Sequence, residues 1–293
     1  MIVYTYIFCW NEEKILPFTL DHYAQFSDRI FLLDNYSTDK SKEIAESYDK
    51  VTVIPFSCQD EDTYDEYESA KLRSNIYKDE TYGFNATKKA DWAILVDADE
   101  LIYHPDIETI LRGYKDQGVA VPRLAGYDMY CKEFPKYKKG ELITQKVKLG
   151  KESISECKPV IIDPDKVEVK FSVGAHFHSQ ASGQVLPSMH SDIKLLHYKN
   201  LGKEYVTNRY KQLSTRSSCT NKEHEFGVHW YDKGCHKDMG SGFDKGLKEA
   251  QKVIWNKVRR RHNQKVKLGV IIYYFPPIIT KKSNWFRIRG GYR

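Results

Sequence analysis

The stretch DWAILVDADELIY (91–103) decides how this chain is read. Its run Trp92–Val96 contains no polar residue, as a strand buried on both faces requires, and it then breaks off into carboxylates. Such a strand belongs inside a parallel sheet covered by helices. In open α/β sheets ligands sit beyond the carboxyl ends of the strands, so Asp97 and Asp99 mark the edge of a crevice. Side chains alternate along a strand, and the two carboxylates are therefore expected to point the same way. Two such groups repel unless a cation lies between them. Oxygen ligands of this kind suit Mg²⁺ or Mn²⁺, particularly where phosphates complete the shell.

Upstream, the same architecture repeats. IVYTYIF (2–8), RIFLLD (29–34) and VTVIPF (51–56) read as strands. NEEKILPFTLDHYAQF (11–26), with Pro17 in its first turn, and STDKSKEIAESY (37–48), opened by capping residues, read as helices between them. Strand–helix–strand–helix–strand at this spacing predicts parallel βαβ units with helices on both faces of the sheet. A further helix is expected around Leu72, Ile76 and Tyr77. Downstream, PDIETILRGY reads as a helix, GVAVPRL and IKLLHYK (193–199) as strands, 126–190 as short strands and loops, and 203–217 as helical. We divide the chain at 1–120, 121–240 and 241–293.

Composition bounds the function. The 293 residues are 41% hydrophobic and 29% charged, which excludes a disordered or collagen-like chain. No apolar run is long enough to span a bilayer. The N-terminus lacks the basic start of a signal peptide, and the six cysteines form no CxxC pair, as expected of reduced thiols in the cytoplasm. The net charge of +6 is unevenly spread: 14 of the 46 Lys/Arg but one of the 40 acids lie in 245–293. An acidic body with a basic tail points to an anionic partner for the tail. KGLKEAQKVIWNKVRRRHN (245–263) reads as a basic amphipathic helix, with Leu247, Ala250, Val253, Ile254 and Val258 on one face and the apolar run 266–279 after it. That combination fits a membrane surface, and nucleic acid is not expected.

Asp34-Asn35-Tyr36-Ser37-Thr38-Asp39 ends the second strand, where a carboxylate can accept from a base N–H and the next helix offers free backbone donors; Ser37 or Thr38 would also serve as a plain helix cap. Asn11-Glu12 stands in the equivalent place after the first strand. With Arg73-Ser74-Asn75 ahead of the fourth strand, Asp97-Ala98-Asp99 after it and a downstream HYK, these segments resemble the family 2-like glycosyltransferases of polysaccharide and lipopolysaccharide gene clusters. The resemblance is specific over about residues 3–105 and looser over 120–215. It implies an A-type glycosyltransferase fold, Rossmann-like with a mostly parallel sheet, carrying here a basic C-terminal extension. It further implies Mn²⁺ or Mg²⁺ and a nucleoside-diphosphate sugar, UDP being the expected nucleotide, with a saccharide or lipid-linked acceptor.

Carried over residue by residue, Asp34 would meet the base, Asn11 and Glu12 would line the nucleoside pocket, and Arg73 and Asn75 would flank it. Asp97 and Asp99 would hold the ribose and the metal–diphosphate. His197 in LLHYK is expected as an additional metal ligand, with His176 its rival. Asn35-Tyr36 departs from the usual Asp-Gly, and no clear Glu-Asp pair supplies the base that an inverting transfer needs. Asp128, after a strand and a Gly-containing turn, is our choice over Glu156 and Asp192. Lys158 is expected to reach a phosphate, with Lys199 and Arg209 behind it. A zinc site at His176, His178 and Cys235 is not expected, for want of finger spacing. Two other classes stand beside this reading: a non-catalytic carbohydrate- or membrane-binding module, and a sugar nucleotidyltransferase. The latter usually wants a Gly-rich basic loop after the first strand, where FCWNEE stands.

Overall fold

The computed structural model describes residues 1–58, 62–78, 90–176, 179–181, 185–186, 192–228 and 242–254. Met1–Lys257 forms one compact unit; Val258–Arg293 is a second and lies outside the described residues.

The first third runs β1 (Val3–Cys9), α1 (Leu16–Tyr23), β2 (Arg29–Asp34), α2 (Ser41–Glu46), β3 (Val51–Pro55), α3 (Glu66–Asn75) and β4 (Trp92–Asp97). The chain continues through β5 (Glu100–Tyr103), α4 (Ile107–Asp116), β6 (Val121–Pro122), β7 (Ala125–Cys131), α5 (Ile143–Lys146), β8 (Leu149–Glu152) and β9 (Ile161–Ile162). It closes with β10 (Val169–Lys170), β11 (Gln180–Ala181), β12 (Val185–Leu186), β13 (Lys194–Leu201), α6 (Lys203–Ser214), α7 (Cys219–Glu223) and β14 (Gln251–Lys252). One sheet has the order β3-β2-β1-β4-β9, its first four strands parallel and β9 antiparallel. A second five-stranded sheet has the order β14-β8-β7-β13-β5, and β10-β11 and β12-β6 form two-stranded pairs.

The parallel sheet follows from residues that bury on both faces. Val3, Ile7, Ile30, Leu32, Ile94 and Val96 pack with Leu16, Phe18 and Tyr23 of α1 on one side. Tyr4, Tyr6, Phe8, Phe31, Leu33 and Leu95 form the opposite core. Fully burying each such side chain is worth about 1.5–3 kcal/mol, which fixes the register because a one-residue slip would exchange the two sets. Among the described residues, no helix is long and apolar enough to cross a membrane.

Three sequence expectations are corrected. The strand expected over 91–103 stops at Asp97: Ala98 and Asp99 form a turn, and the chain passes into the second sheet, where β5 pairs antiparallel with β13. The turn is held by Ala98 N–H donating to Phe8 O, Asp97 N–H to Glu100 Oε2 and Tyr198 N–H to Asp99 O. Asp97 and Asp99 are therefore placed by a turn and not by strand alternation. Secondly, α2 starts at Ser41, not Ser37. Ser37, Thr38 and Asp39 bond the loop after β1 instead: Asn11 N–H donates to Ser37 Oγ (2.9 Å), Thr38 N–H to Asn11 Oδ1 (2.7 Å) and Glu13 N–H to Asp39 Oδ2 (2.9 Å). Asn11 has φ of 51°, a left-handed conformation that asparagine tolerates better than most residues.

Thirdly, the helix expected over 245–263 is not continuous. Residues 242–249 are helical, but β14 then pairs with β8, and Val253 and Ile254 join the main core. Val253 packs where a Cβ on Gly150 would stand, so the strand seats against an edge that a glycine keeps open. The body thus reaches Ile254, past the boundary drawn at 241. The rest of that basic segment and the apolar run 266–279 lie outside the described residues.

Candidate functional site

The carboxyl ends of β1, β2 and β4 meet α3, α6 and the 154–158 and 173–176 segments around a cavity of about 550 Å³. Of the residues singled out in the sequence, Glu12, Asn35, Arg73, Asp97, Asp99, Glu156, Lys158, His176, His197, Lys199 and Arg209 line it. Asn11, Asp34, Asn75 and Asp128 do not. Asn11 fastens the β1 loop to the β2 loop. The buried Asp34 carboxylate accepts from Ser37 N–H (3.3 Å). The Asn75 amide donates to Lys71 O of its own helix, on the side away from the cavity. Asp128 on β7 pairs with Lys199 (2.9 Å) and lies 3.6 Å from His197 Nδ1, so it stands behind His197 and not at the cavity surface. The fourth strand of that sheet, β13, brings its own residues to the front, which a strand-and-turn argument for Asp128 could not foresee.

Arg73 is buried on α3, pairs with Asp97 Oδ1 and stacks over Phe8, its guanidinium carbon 3.9 Å from the ring centroid. The spacing Glu66, Ser69, Ala70, Arg73 turns one face of α3 to the cavity.

Asp99 Oδ2 lies 3.2 Å from His197 Nε2. His197 Nδ1 is 3.2 Å from Glu156 Oε1. Burial opposes a charge on the ring, yet Glu156 and Asp99 together hold the His197 pKa well above its ordinary value. His197 is thus a ring whose outer nitrogen faces a carboxylate on the cavity wall and whose inner nitrogen is backed by another. Metal-binding histidines are oriented by just such a second carboxylate. The Asp99–His197 pair therefore fits a divalent cation. Glu100, Glu156 and His197 also converge closely enough for a metal. That cluster already has its cation: Lys158 Nζ lies 2.5 Å from Glu100 Oε1 and 3.2 Å from Glu156 Oε2, and all three side chains are buried. Burial alone would lower the Lys158 pKa, but Glu100 and Glu156 raise it overall. The expected phosphate contact of Lys158 is in this structure an internal ion triad. His176 lines the cavity too, but its Nδ1 is 3.2 Å from Ser155 O, and burial lowers its pKa.

The opposite wall comes from α6 and the segment after it. Arg209 donates to Glu12 Oε1 (2.5 Å) and Trp10 O (2.9 Å). Arg216 donates to Asn35 Oδ1 (2.9 Å), and its guanidinium carbon lies 4.4 Å from the Trp10 centroid. Asn35 in turn donates to Phe56 O (2.9 Å), so an amide fills the hydrogen-bonding position where the usual Asp-Gly would put a charge. Trp10, Tyr64, Glu66 and Arg216 are cavity residues that the sequence reading missed. Only Asn35, within DNYSTD, carried a local signal.

Residues 5–60 match the profile of glycosyl transferase family 2. The match covers the Asn11-Glu12 and DNYSTD segments on which the resemblance was read. No curated protein matches the chain. Among solved structures, S. aureus TarS (residues 1–349) in complex with UDP is similar at 13% identity and a TM-score of 0.41, over 83% of this chain and 70% of that one. Glucosyl-3-phosphoglycerate synthase from Mycobacterium tuberculosis, in complex with Mn²⁺, UDP and glucosyl-3-phosphoglycerate, is similar at 15% identity and a TM-score of 0.30, over 43% of this chain. The present chain spans 44% of the length of that synthase.

Proposed function

We propose that this chain is a metal-dependent glycosyltransferase that moves a sugar from a nucleoside-diphosphate sugar, with UDP as the nucleotide, to a saccharide or glycolipid acceptor with inversion. The observation that carries the reading is the Asp99–His197 pair on the wall of the cavity, one turn from the Arg73-bound Asp97. Asp99 and His197 would hold Mn²⁺ or Mg²⁺, and the cation would neutralise the departing diphosphate. The chain's own residues supply the rest. Glu156 orients His197. Arg73 holds the Asp97 carboxylate at the position where a ribose hydroxyl would bond. Trp10, Asn35 and Phe56 form the end of the cavity suited to a flat base.

Thermal shift with UDP, GDP and dTDP, each with and without Mn²⁺, tests the reading against its rivals. A metal-dependent rise for one diphosphate, lost in Asp99→Ala, supports it. A shift with nucleoside triphosphate and sugar phosphate in its place would favour a nucleotidyltransferase, and no shift with any nucleotide a binding module. The same proposal places the protein in the cytoplasm and lays the basic residues of 245–293 on an anionic membrane surface. Co-sedimentation with phosphatidylglycerol vesicles, compared with phosphatidylcholine vesicles, tests that part separately.

A further inference from the structure

The cavity wall is dense in carboxyls, and nearly all of them are spoken for. Glu12 has Arg209, Asp97 has Arg73, Asp99 has His197 and Glu156 has Lys158. Glu225 is exposed. Glu66 differs from all of these. It is 6% exposed, it lines the cavity from the first turn of α3, and among the described residues no cation stands within ion-pair range of it. Its Oε2 accepts from Gly174 N–H at 3.2 Å, and its Oε1 has no partner among the described residues. A carboxyl buried in this way is costly unless something hydrogen-bonds it.

What that something is follows from the wall around it. Gly174, which Glu66 holds, has φ of 68°, and a Cβ there would strike the His176 ring. His176 reaches Ser155 O, and the next residue, Glu156, backs His197. Glu66 is therefore linked through Gly174 and His176 to the segment that backs the Asp99–His197 pair, while its own N–H donates to Asn221 Oδ1 of α7 (2.9 Å). Burial first, then the charge of Asp97, pushes the Glu66 pKa up to about 7, so both protonation states are populated near neutral pH. A hydroxyl satisfies either state, since it both donates and accepts.

We propose that Glu66 is a specificity-determining residue that hydrogen-bonds a hydroxyl of the transferred sugar; this rests on the donor reading above. Calorimetry with Mn²⁺ tests it. Wild type, Glu66→Ala and Glu66→Gln are titrated with UDP and with whichever of UDP-glucose, UDP-galactose and UDP-N-acetylglucosamine the wild type binds most tightly. Loss of one such hydrogen bond should weaken sugar-nucleotide binding by Glu66→Ala about tenfold or more. UDP affinity should change less than about twofold and serves as the check that the cavity is intact; Glu66→Gln should lie between. Equal losses for UDP and the sugar nucleotide, in both variants, or no loss for either, overturn the assignment. If the wild type binds neither ligand, the donor reading itself is what fails.

Discussion

Lys158→Met is the sharpest test of how this site is held together. The ammonium it removes stands 2.5 Å from Glu100 and 3.2 Å from Glu156, with exposures of 3%, 0% and 2% for the three side chains. At an effective dielectric of 20, contacts at these distances are worth about 5–7 kcal/mol each before desolvation. Removing the ammonium also removes its own desolvation cost, so the net loss is smaller. Breaking a buried pair by deleting one partner typically costs about 3–5 kcal/mol, because a charge is left without compensation. We expect a loss of that size in urea unfolding, with the midpoint lowered and the slope unchanged. The double variant Glu100→Gln/Lys158→Met should recover more than half of it, since the wholly buried carboxylate is then gone. If Lys158 instead serves chiefly to bind phosphate, stability will hardly change while UDP affinity falls. A Lys158→Met loss below about 1 kcal/mol, or a double variant no more stable than the single one, would refute the triad.

Three further outcomes follow from the same coordinates. His197→Ala should abolish metal-dependent nucleotide binding as fully as Asp99→Ala does, because the two form one ligand pair; a His197→Ala protein with unchanged Mn²⁺ dependence in thermal shift would place the cation elsewhere. Gly126→Ala would drive a Cβ into the backbone of Glu156, and overpacking of this kind costs about 1–3 kcal/mol while displacing the residue behind His197; urea unfolding and Mn²⁺ affinity should both fall. Burial lowers the pKa of His22 from 6.5 to about 4, so the unfolded chain binds a proton there before the folded one does. Stability from this group is full above pH 6.5 and is lost as pH falls towards 4, by about 3 kcal/mol in total. His22→Gln, which can still donate to Ile102 O, should flatten that part of the pH–stability curve relative to wild type.

Residues of the first hundred positions showed their fold plainly. A strand buried on both faces must be largely apolar, and in WAILV, RIFLL and VYTYIF only the exposed Arg29 at a strand start and the buried Thr5 break the run, so β1, β2 and β4 were legible from composition alone. Asp97 and Asp99 were legible because an apolar strand that ends in acids can end only at a surface. Elsewhere the signal misled. Ser37 and Thr38 have the chemistry of helix caps, yet they bond Asn11 across the sheet, and local preference cannot say which partner wins. Residues 245–263 have helical periodicity, but the open edge of β8 competes for Gln251 and Lys252.

The sequence by itself determined that there is a parallel α/β core and that acidic side chains stand at its carboxyl edge, because burial and periodicity act over a few neighbouring residues. Only the tertiary structure decided which charges meet: Asp99 with His197, Glu100 with Lys158, Glu12 with Arg209 and Asn35 with Arg216, the last two pairs 197 and 181 positions apart. Such pairings have no period. They are chosen when the second sheet and α6 close over the first, and they are paid for by desolvation that is felt only once the walls of the cavity are in place.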